Sequence, residues 1–274
     1  AATSCARCVK GARVELDREI ATVMTLTVAT LPYALAPGVP LQLVNSARTA
    51  LLPTFQSVDE STHFHLKRVL DAFRKHNVGA HHFAGVDGYG HGDLGREALD
   101  AVYAELLGAE AALVRVQCFS GTHAIACALF GVLRPGQRLL AVSGAPYDTL
   151  EEVIGLRGRT DDGLRGTLID LGVSYGQVDL TADGDFDLAA IDAAITPETA
   201  MVHVQRSCGY AWRPSIPVAK IEALARWLEA RHPSVLLFVD NCYGEFVERR
   251  EPCHCGAHLV AGSLIKNPGG TIAP

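Results

Sequence analysis

The sequence lacks the charge pattern and the cysteine density that mark several large classes of protein. Its 274 residues contain no run of lysine or arginine longer than a pair, and the formal net charge is -6, so we do not expect nucleic-acid binding. Eight cysteines are too dilute for a disulfide scaffold and are more typical of a reducing compartment, which favours the cytoplasm. With 49% hydrophobic residues, however, the chain can bury a large core.

Charge is also absent between Glu19 and Arg48, a stretch long enough to cross a membrane. Three prolines interrupt this stretch, so a membrane span is the less favoured interpretation and a leader or an extended segment is preferred. A plastid-type targeting leader stays open beside the cytoplasmic location. We predict that residues 1–60 are an N-terminal leader or extension and that residues 61–274 form one large domain.

From Ser61 onward, the hydrophobic pattern has the period of a helix. The first predicted helix lies within STHFHLKRVLDAFRKHN and is capped by Ser61 or Thr62. A second helix, within GREALDAVYAELL, is expected to end at Gly108. The apolar face predicted for the first helix contains Leu66, Val69, Leu70 and Phe73.

The rest of the chain alternates between strand-like and helix-like runs. Such alternation predicts an α/β three-layer sandwich, with a mostly parallel sheet covered by helices on both faces. In this class, ligands bind outside the carboxyl ends of the strands. The predicted strands are 111–116, 138–143, 173–180, 200–205, 235–240 and 258–263, and the predicted helices between them lie near 121–133, 148–156, 187–195 and 216–231.

Residues whose side chains could bind a ligand or take part in catalysis follow several of these strands. The Ser-Gly-Thr of residues 120–122 begins a helix and would bind an anion, or would simply cap the helix. Asp240 ends an apolar strand, where it would either face a cation or cap the following turn. Lys266 precedes Asn-Pro-Gly-Gly and is either a surface lysine or an amine held for nucleophilic chemistry.

In combination, these residues predict a binding site for pyridoxal 5'-phosphate. A phosphate site at a helix start, an aromatic ring, a buried acid and a lysine match the four features by which this cofactor is held. The predicted roles are phosphate binding by Gly121, Thr122 and Ser263, ring stacking by Tyr147, pairing of Asp240 with the pyridine nitrogen, and a Schiff base on Lys266.

At this point the sequence resembles the fold type I pyridoxal-phosphate enzymes of cysteine and methionine metabolism. More narrowly, it resembles the methionine gamma-lyase-like family, also called aluminium resistance proteins. The interval from Gly121 to Tyr147 equals that from Asp240 to Lys266 and agrees with the spacing in that branch. The matching stretches begin at about His63 and include GYGHGDLGREALDAVYAELLGAEAALVR, FSGTHAIACALFGVLRPG, GAPYDTLEEVIG, QRSCGYAWRPS, VDNCYGEFVE and GSLIKNPGG.

The resemblance implies a carbon-sulfur lyase that acts on a sulfur-containing amino acid, of the methionine gamma-lyase or cystathionine lyase type. It also implies a homodimer or homotetramer, in which Tyr89 reaches the active site of a neighbouring subunit. The family motif there is Tyr-x-Arg, whereas this chain has His91 in place of the arginine. The family further has a small C-terminal domain, so we expect the chain to be C-terminally truncated after Lys266.

Other interpretations stay open. Within the same cofactor class, one alternative is an aminotransferase or another enzyme of α-carbon chemistry. Another is a truncated remnant that binds the cofactor without catalysis. Gly90, Gly92 and Gly95 formally match a dinucleotide fingerprint, but no convincing strand precedes them. A zinc site from Cys253, His254, Cys255 and His258 is disfavoured by the tight spacing of these residues.

Overall fold

The computed structural model describes residues 40–86, 89, 92–158 and 166–267. The chain divides into two units, residues 1–57 and 58–274, and apart from the first half of one long helix the fold below is that of the second unit. Most of the uncharged stretch before Arg48 lies outside the described residues. Within the described ranges, no helix combines the length and the apolar character that crossing a membrane requires. The predicted boundary at residue 60 stays a prediction.

Helix α1 spans Leu41–Lys75, a length of 35 residues. The predicted cap at Ser61 or Thr62 is therefore wrong: the Thr62 hydroxyl donates to the Val58 carbonyl one helical turn earlier, as a threonine inside a helix does. The predicted apolar face is only partly buried. Val69 packs in an apolar cluster, but Leu66, Leu70 and Phe73 are exposed, and the buried residues are His65 and Ala72.

Helix α2 spans Leu94–Leu107 and follows a short 3-10 helix at Ala80–Phe83. It begins after Asp93, whose carboxylate accepts a hydrogen bond from the Arg96 amide at 3.1 Å. It ends at Gly108, which has the left-handed φ of 71° that a C-terminal cap requires. The predicted helix and its predicted end are confirmed.

The predicted strand at 111–116 is wrong. Leu113 and Val116 are 72% and 87% exposed, so this apolar run does not enter the core. Instead, the Val114 amide and the Arg115 guanidinium both donate to the Asp100 carboxylate of α2, at 2.7 and 2.8 Å. These bonds replace the ladder that a strand would form, and the following helix therefore starts without a strand before it.

Five parallel strands form the sheet: β1 at Arg138–Ala141, β2 at Ser174–Gln177, β3 at Thr199–Gln205, β4 at Leu236–Asp240 and β5 at Leu259–Ala261. Their order across the sheet is β2-β1-β3-β4-β5. The central strand β3 is almost entirely buried, which explains its continuous apolar character. The other five predicted strands are confirmed: four are shorter than predicted, and β3 begins one residue earlier.

Helices cover both faces of the sheet, and two apolar clusters join the layers. Neighbouring strand residues alternate between the clusters: Val202 and Leu237 belong to one, Met201 and Phe238 to the other. The three-layer α/β fold is therefore confirmed. Helices α3 (Gly121–Val132) and α4 (Asp148–Ile154) pack on one face, helices α5 (Leu188–Ala194) and α6 (Val218–Arg231) pack on the other, and a 3-10 helix occupies Pro252–Cys255.

Candidate active site

The carboxyl ends of the parallel strands lie along one edge of the sheet. β3 ends at Gln205, β4 at Asp240 and β5 at Ala261. Since β4 lies between β3 and β5, the segments that leave these three strands are neighbours. The candidate residues after these ends are thereby brought together.

Helix α3 directs its first turn at this edge. Ser120 is its cap, and the Ser120 hydroxyl accepts a hydrogen bond from the His123 amide at 3.1 Å. Gly121 and Thr122 are the next residues, and amides in a first turn have no partner within the helix. The start of α3 therefore presents N-H donors and the positive end of the helix dipole to an anion.

Hydrogen bonds from its backbone and from its side chain hold Tyr147 beside the start of α3. Its amide donates to the Gln205 side-chain oxygen at 2.9 Å, and its phenol donates to the Thr122 hydroxyl at 2.9 Å. Burial raises the pKa of Tyr147 to about 12, although the Thr122 hydrogen bond acts in the opposite direction. The phenol is therefore neutral at physiological pH, and the aromatic ring is anchored near the helix start.

Asp240 is a carboxylate in an almost dry environment, with 2% of its surface exposed. One of its oxygens accepts a hydrogen bond from the Cys242 amide at 3.0 Å. Burial raises the pKa of Asp240, while hydrogen bonds from Cys242 and the positive charge of Lys266 oppose that shift. Such a group gains from a further cationic or N-H partner.

Lys266 lies in a turn that follows β5. Its amide donates to the Ser263 carbonyl at 3.1 Å, and Ser263 itself is buried. The Lys266 ammonium lies 4.2 Å from the centroid of the Tyr243 ring, a distance at which a cation is attracted to the face of an aromatic ring. The amine is therefore held near the sheet edge.

The glycine at position 121 shows how closely these parts converge. A methyl group in place of its Cα hydrogen would lie 3.0 Å from the Cys242 sulfur, 3.5 Å from the Ser263 Cβ and 3.9 Å from the Lys266 ammonium. The space in front of Gly121 is thus bordered by the lysine and by the buried serine. N-H donors, a hydroxyl, an anchored ring, a buried acid and an amine meet here, and this donor set fits pyridoxal phosphate.

Tyr89 is the one predicted site residue that these contacts do not include. It is 82% exposed, and its predicted place in the site of a neighbouring subunit stays a prediction.

Several residues at this edge had no predicted role. Gln205 supports Tyr147, Cys242 borders Gly121, Tyr243 contacts Lys266, and Glu245 accepts a hydrogen bond from the Ser263 amide. Three of them follow Asp240 directly in the segment NCYGEF. A buried strand end followed by several polar residues is a signal that could have identified them.

The two alternative sites differ from their expected settings. The described residues before Gly90 include a 3-10 helix and no strand, so the setting of a dinucleotide fingerprint is missing there. In the disfavoured zinc alternative, the His254 and His258 rings accept hydrogen bonds from the Glu251 and Leu237 amides. Across the described ranges, no three histidine, cysteine or acidic residues are arranged to hold a metal ion.

The chain belongs to the methionine gamma-lyase family, whose model matches residues 40–274. The match begins closer to the N-terminus than the motifs recognised in the sequence. The fold is that of the large domain of the fold type I pyridoxal-phosphate enzymes.

Three relatives illustrate the similarity. The uncharacterized protein YnbB of Bacillus subtilis is 53% identical over 206 residues, which cover 75% of this chain and 48% of that protein. L-methionine gamma-lyase of Pseudomonas putida is 30% identical over 176 residues, 63% of this chain and 37% of the enzyme. The crystal structure of a carbon-sulfur lyase involved in aluminum resistance from Clostridium novyi is 42% identical, with a TM-score of 0.79, and the match covers 85% of this chain and 55% of that one. The chain thus spans about half the length of the Bacillus and Clostridium relatives and less than half of the Pseudomonas enzyme.

Proposed function

We propose that this chain carries the cofactor site of a pyridoxal 5'-phosphate-dependent carbon-sulfur lyase that acts on a sulfur-containing amino acid. The observation that carries the proposal is the convergence of the Lys266 amine, the Asp240 carboxyl group and the start of α3 at one edge of the sheet. The Pseudomonas relative is named L-methionine gamma-lyase and the Clostridium relative a carbon-sulfur lyase, which supports the reaction class. A cystathionine lyase type of activity lies within that class.

Each side chain would hold one part of the cofactor. The amides of Gly121 and Thr122 and the Ser263 hydroxyl would bind the phosphate, because they offer donors at a helix start. The Tyr147 ring would cover one face of the pyridine ring, and its anchored position would exclude water from that face. When bound, the cofactor supplies an electron sink for negative charge at the α-carbon of an amino acid.

Two residues would control the protons. Asp240 would hold a proton at the pyridine nitrogen, because its buried carboxylate gains from a cationic partner. Lys266 would bind the cofactor aldehyde through its side-chain nitrogen and, once released, would take the proton from the substrate α-carbon. Departure of the sulfur substituent as a thiol, which carries a proton away, would complete a β-elimination, whereas a γ-elimination would first need a second proton removed at the β-carbon.

The attachment of the cofactor is tested by trapping. The protein is incubated with pyridoxal 5'-phosphate, reduced with borohydride, digested and analysed by mass spectrometry. We expect the added mass on Lys266, its loss in Lys266→Ala, and its retention in the control Lys220→Ala, since Lys220 makes its contacts with Gly184 and Asp185 of a surface turn. No modification of Lys266 in the wild-type protein would refute the proposal.

The reaction is tested by release of ammonia, keto acid and thiol from methionine, cystathionine and cysteine. We expect thiol release together with ammonia, and the keto acid identifies β- or γ-elimination. Amino-group transfer without thiol release would favour the aminotransferase alternative. A trapped cofactor with no turnover of any amino acid would favour a cofactor-binding protein without catalysis.

We also propose that the working unit is at least a homodimer. Support comes from exposed apolar side chains of Leu113, Val116 and Phe119, in the segment just before α3, and from the exposed Tyr89 ring. Sedimentation velocity should show dimers or tetramers. If Tyr89 completes a neighbouring site, mixing inactive Lys266→Ala with inactive Tyr89→Ala should restore part of the activity, and a monomer in sedimentation would refute the assembly.

A further inference from the structure

Two turns at the carboxyl edge of the sheet pack against each other. The first follows β4 and contains Tyr243, Glu245 and Phe246, and the second follows β5 and runs from Gly262 to Asn267, which includes Lys266. Hydrogen bonds between the two turns involve both side chains and backbone. The first turn therefore contacts the segment that carries the amine of the proposed site.

Glu245 makes the buried contact. Its surface is 0% exposed, and one carboxylate oxygen accepts a hydrogen bond from the Ser263 amide at 2.7 Å. The other oxygen is buried and has no hydrogen-bond partner among the described residues. Burial raises the pKa of Glu245, and the bond from Ser263 opposes that shift. A buried carboxyl group with a hydrogen bond to only one of its oxygens lowers the stability of the folded protein. Its presence therefore calls for a reason beyond packing.

The chain leaves room for this contact at Gly262. A methyl group there would lie 2.7 Å from the carboxylate oxygen of Glu245 that accepts from Ser263. Any side chain at this position would therefore displace the carboxylate from the Ser263 amide. The hydrogen bond between the Glu245 carboxylate and the Ser263 amide thus requires that position 262 has no side chain.

Asn267 makes the exposed contact between the turns. Its side-chain nitrogen donates to the Tyr243 carbonyl at 2.8 Å and to the Glu245 carbonyl at 3.0 Å. Tyr243 and Phe246 have positive φ values of 67° and 57°, which residues other than glycine rarely adopt. The bonds from Asn267 help to hold this unfavourable backbone, which places the Tyr243 ring against the Lys266 ammonium.

We propose that Glu245 and Asn267 are positioning residues, which hold the turn from Ser263 to Asn267 so that Lys266 lies in front of Gly121. This inference rests on the proposed function for its consequence, but the position of the turn can be measured without it. Since displacement of a reacting group by about 1 Å can cost on the order of a hundredfold in rate, loss of either contact should slow cofactor attachment at Lys266.

The test uses two measurements on the same variants. Hydrogen exchange followed by mass spectrometry reports on the amides of residues 263–267, and borohydride trapping reports the rate at which pyridoxal 5'-phosphate attaches to Lys266. In Glu245→Ala, exchange of these amides should become at least about tenfold faster, and attachment roughly ten- to hundredfold slower. Glu245→Gln keeps an oxygen acceptor for the Ser263 amide and should stay within about threefold of the wild type in both measurements.

Two further variants separate positioning from loss of stability. The carboxylate of Asp187 also accepts a backbone amide, that of Ala190, but it caps α5, which belongs to neither turn. Asp187→Ala should therefore lower stability without a selective effect on residues 263–267. Asn267→Ala alters an exposed residue, so it should fold like the wild type and still show faster exchange and slower attachment.

The outcomes distinguish this inference from the proposed function. Unchanged exchange of residues 263–267 in both Glu245→Ala and Asn267→Ala would overturn the positioning role. Equal effects of Glu245→Ala and Asp187→Ala on attachment would also overturn it, because general destabilisation would then explain both. If the wild-type protein does not attach the cofactor at Lys266, the proposed function fails, and the exchange data alone decide whether these residues hold the turn.

Discussion

Replacing His203 with leucine should make the folded protein less sensitive to acid. His203 lies in the central strand β3 with 1% of its surface exposed, and its ring centroid is 5.4 Å from that of Phe238. Its Nε2 atom is buried and has no hydrogen-bond partner in the described structure. Burial lowers the pKa of His203 from 6.5 to about 4, because the charged ring would be desolvated.

The size of the effect follows from this difference in pKa. Each unit corresponds to about 1.4 kcal/mol, so the shift contributes about 3 kcal/mol to the free energy of unfolding. Since the folded-state pKa is lowered, this contribution is fully present above the unfolded pKa of 6.5 and is lost as the pH falls to about 4. Leucine takes up no proton, so the variant lacks this dependence.

Urea unfolding followed by circular dichroism at about pH 7.5, 6 and 4.5 measures the effect. The stability of the wild-type protein should fall more steeply than that of His203→Leu across this range. The matched control is His63→Leu, on the exposed surface of α1, which should follow the wild type. An equal decrease in the wild type and His203→Leu would refute the conclusion that His203 is neutral in the folded protein.

Three further substitutions test the site. Gly121→Ala should reduce cofactor attachment at least about tenfold, because the methyl group would approach the Cys242 sulfur to 3.0 Å; Gly131→Ala, also in α3 but with nothing within 4 Å, is the control and should leave attachment unchanged. Tyr147→Phe should lower the free energy of unfolding by about 1 kcal/mol in urea titrations through loss of one hydrogen bond, and an unchanged value would show that this bond adds no net stability. Asp240→Asn should retain attachment but slow exchange of the substrate α-proton, measured by NMR in deuterated water, by about a hundredfold or more; an unchanged rate would contradict the proton-holding role of Asp240.

Much of the sheet could be predicted from the sequence, because its central strands are buried on both faces. The continuous apolar runs around Val202 and Phe238 have few alternatives to a parallel sheet. The run at 111–116 has a similar composition but no ladder partner, since the carboxylate of Asp100 satisfies its donors. Pattern alone does not distinguish these cases, because a hydrogen bond to a distant side chain leaves no period in the sequence.

The candidate site was predictable where a residue follows a strand end and was missed where a residue acts through another. Tyr147, Asp240 and Lys266 carry chemical groups that match a cofactor, so their types are informative. Glu245 and Asn267 act only through contacts between two turns that are close in space. Such contacts depend on the order β4-β5 at the edge of the sheet, which the sequence pattern does not determine.

The strand order also has a consequence for how the protein matures. β5 is the last strand in chain order within the described residues, and the turn after it supplies both Ser263 and Lys266. Their counterpart at Gly121 is synthesised much earlier, and contacts between residues so distant in sequence form slowly because a long loop must close first. In the proposed site, Ser263 and Lys266 reach Gly121 only after β5 has paired with β4, so a nascent chain would not hold the cofactor before that step. Cofactor attachment would thus serve as a reporter of completed folding, which pulse-labelling during refolding could follow in real time.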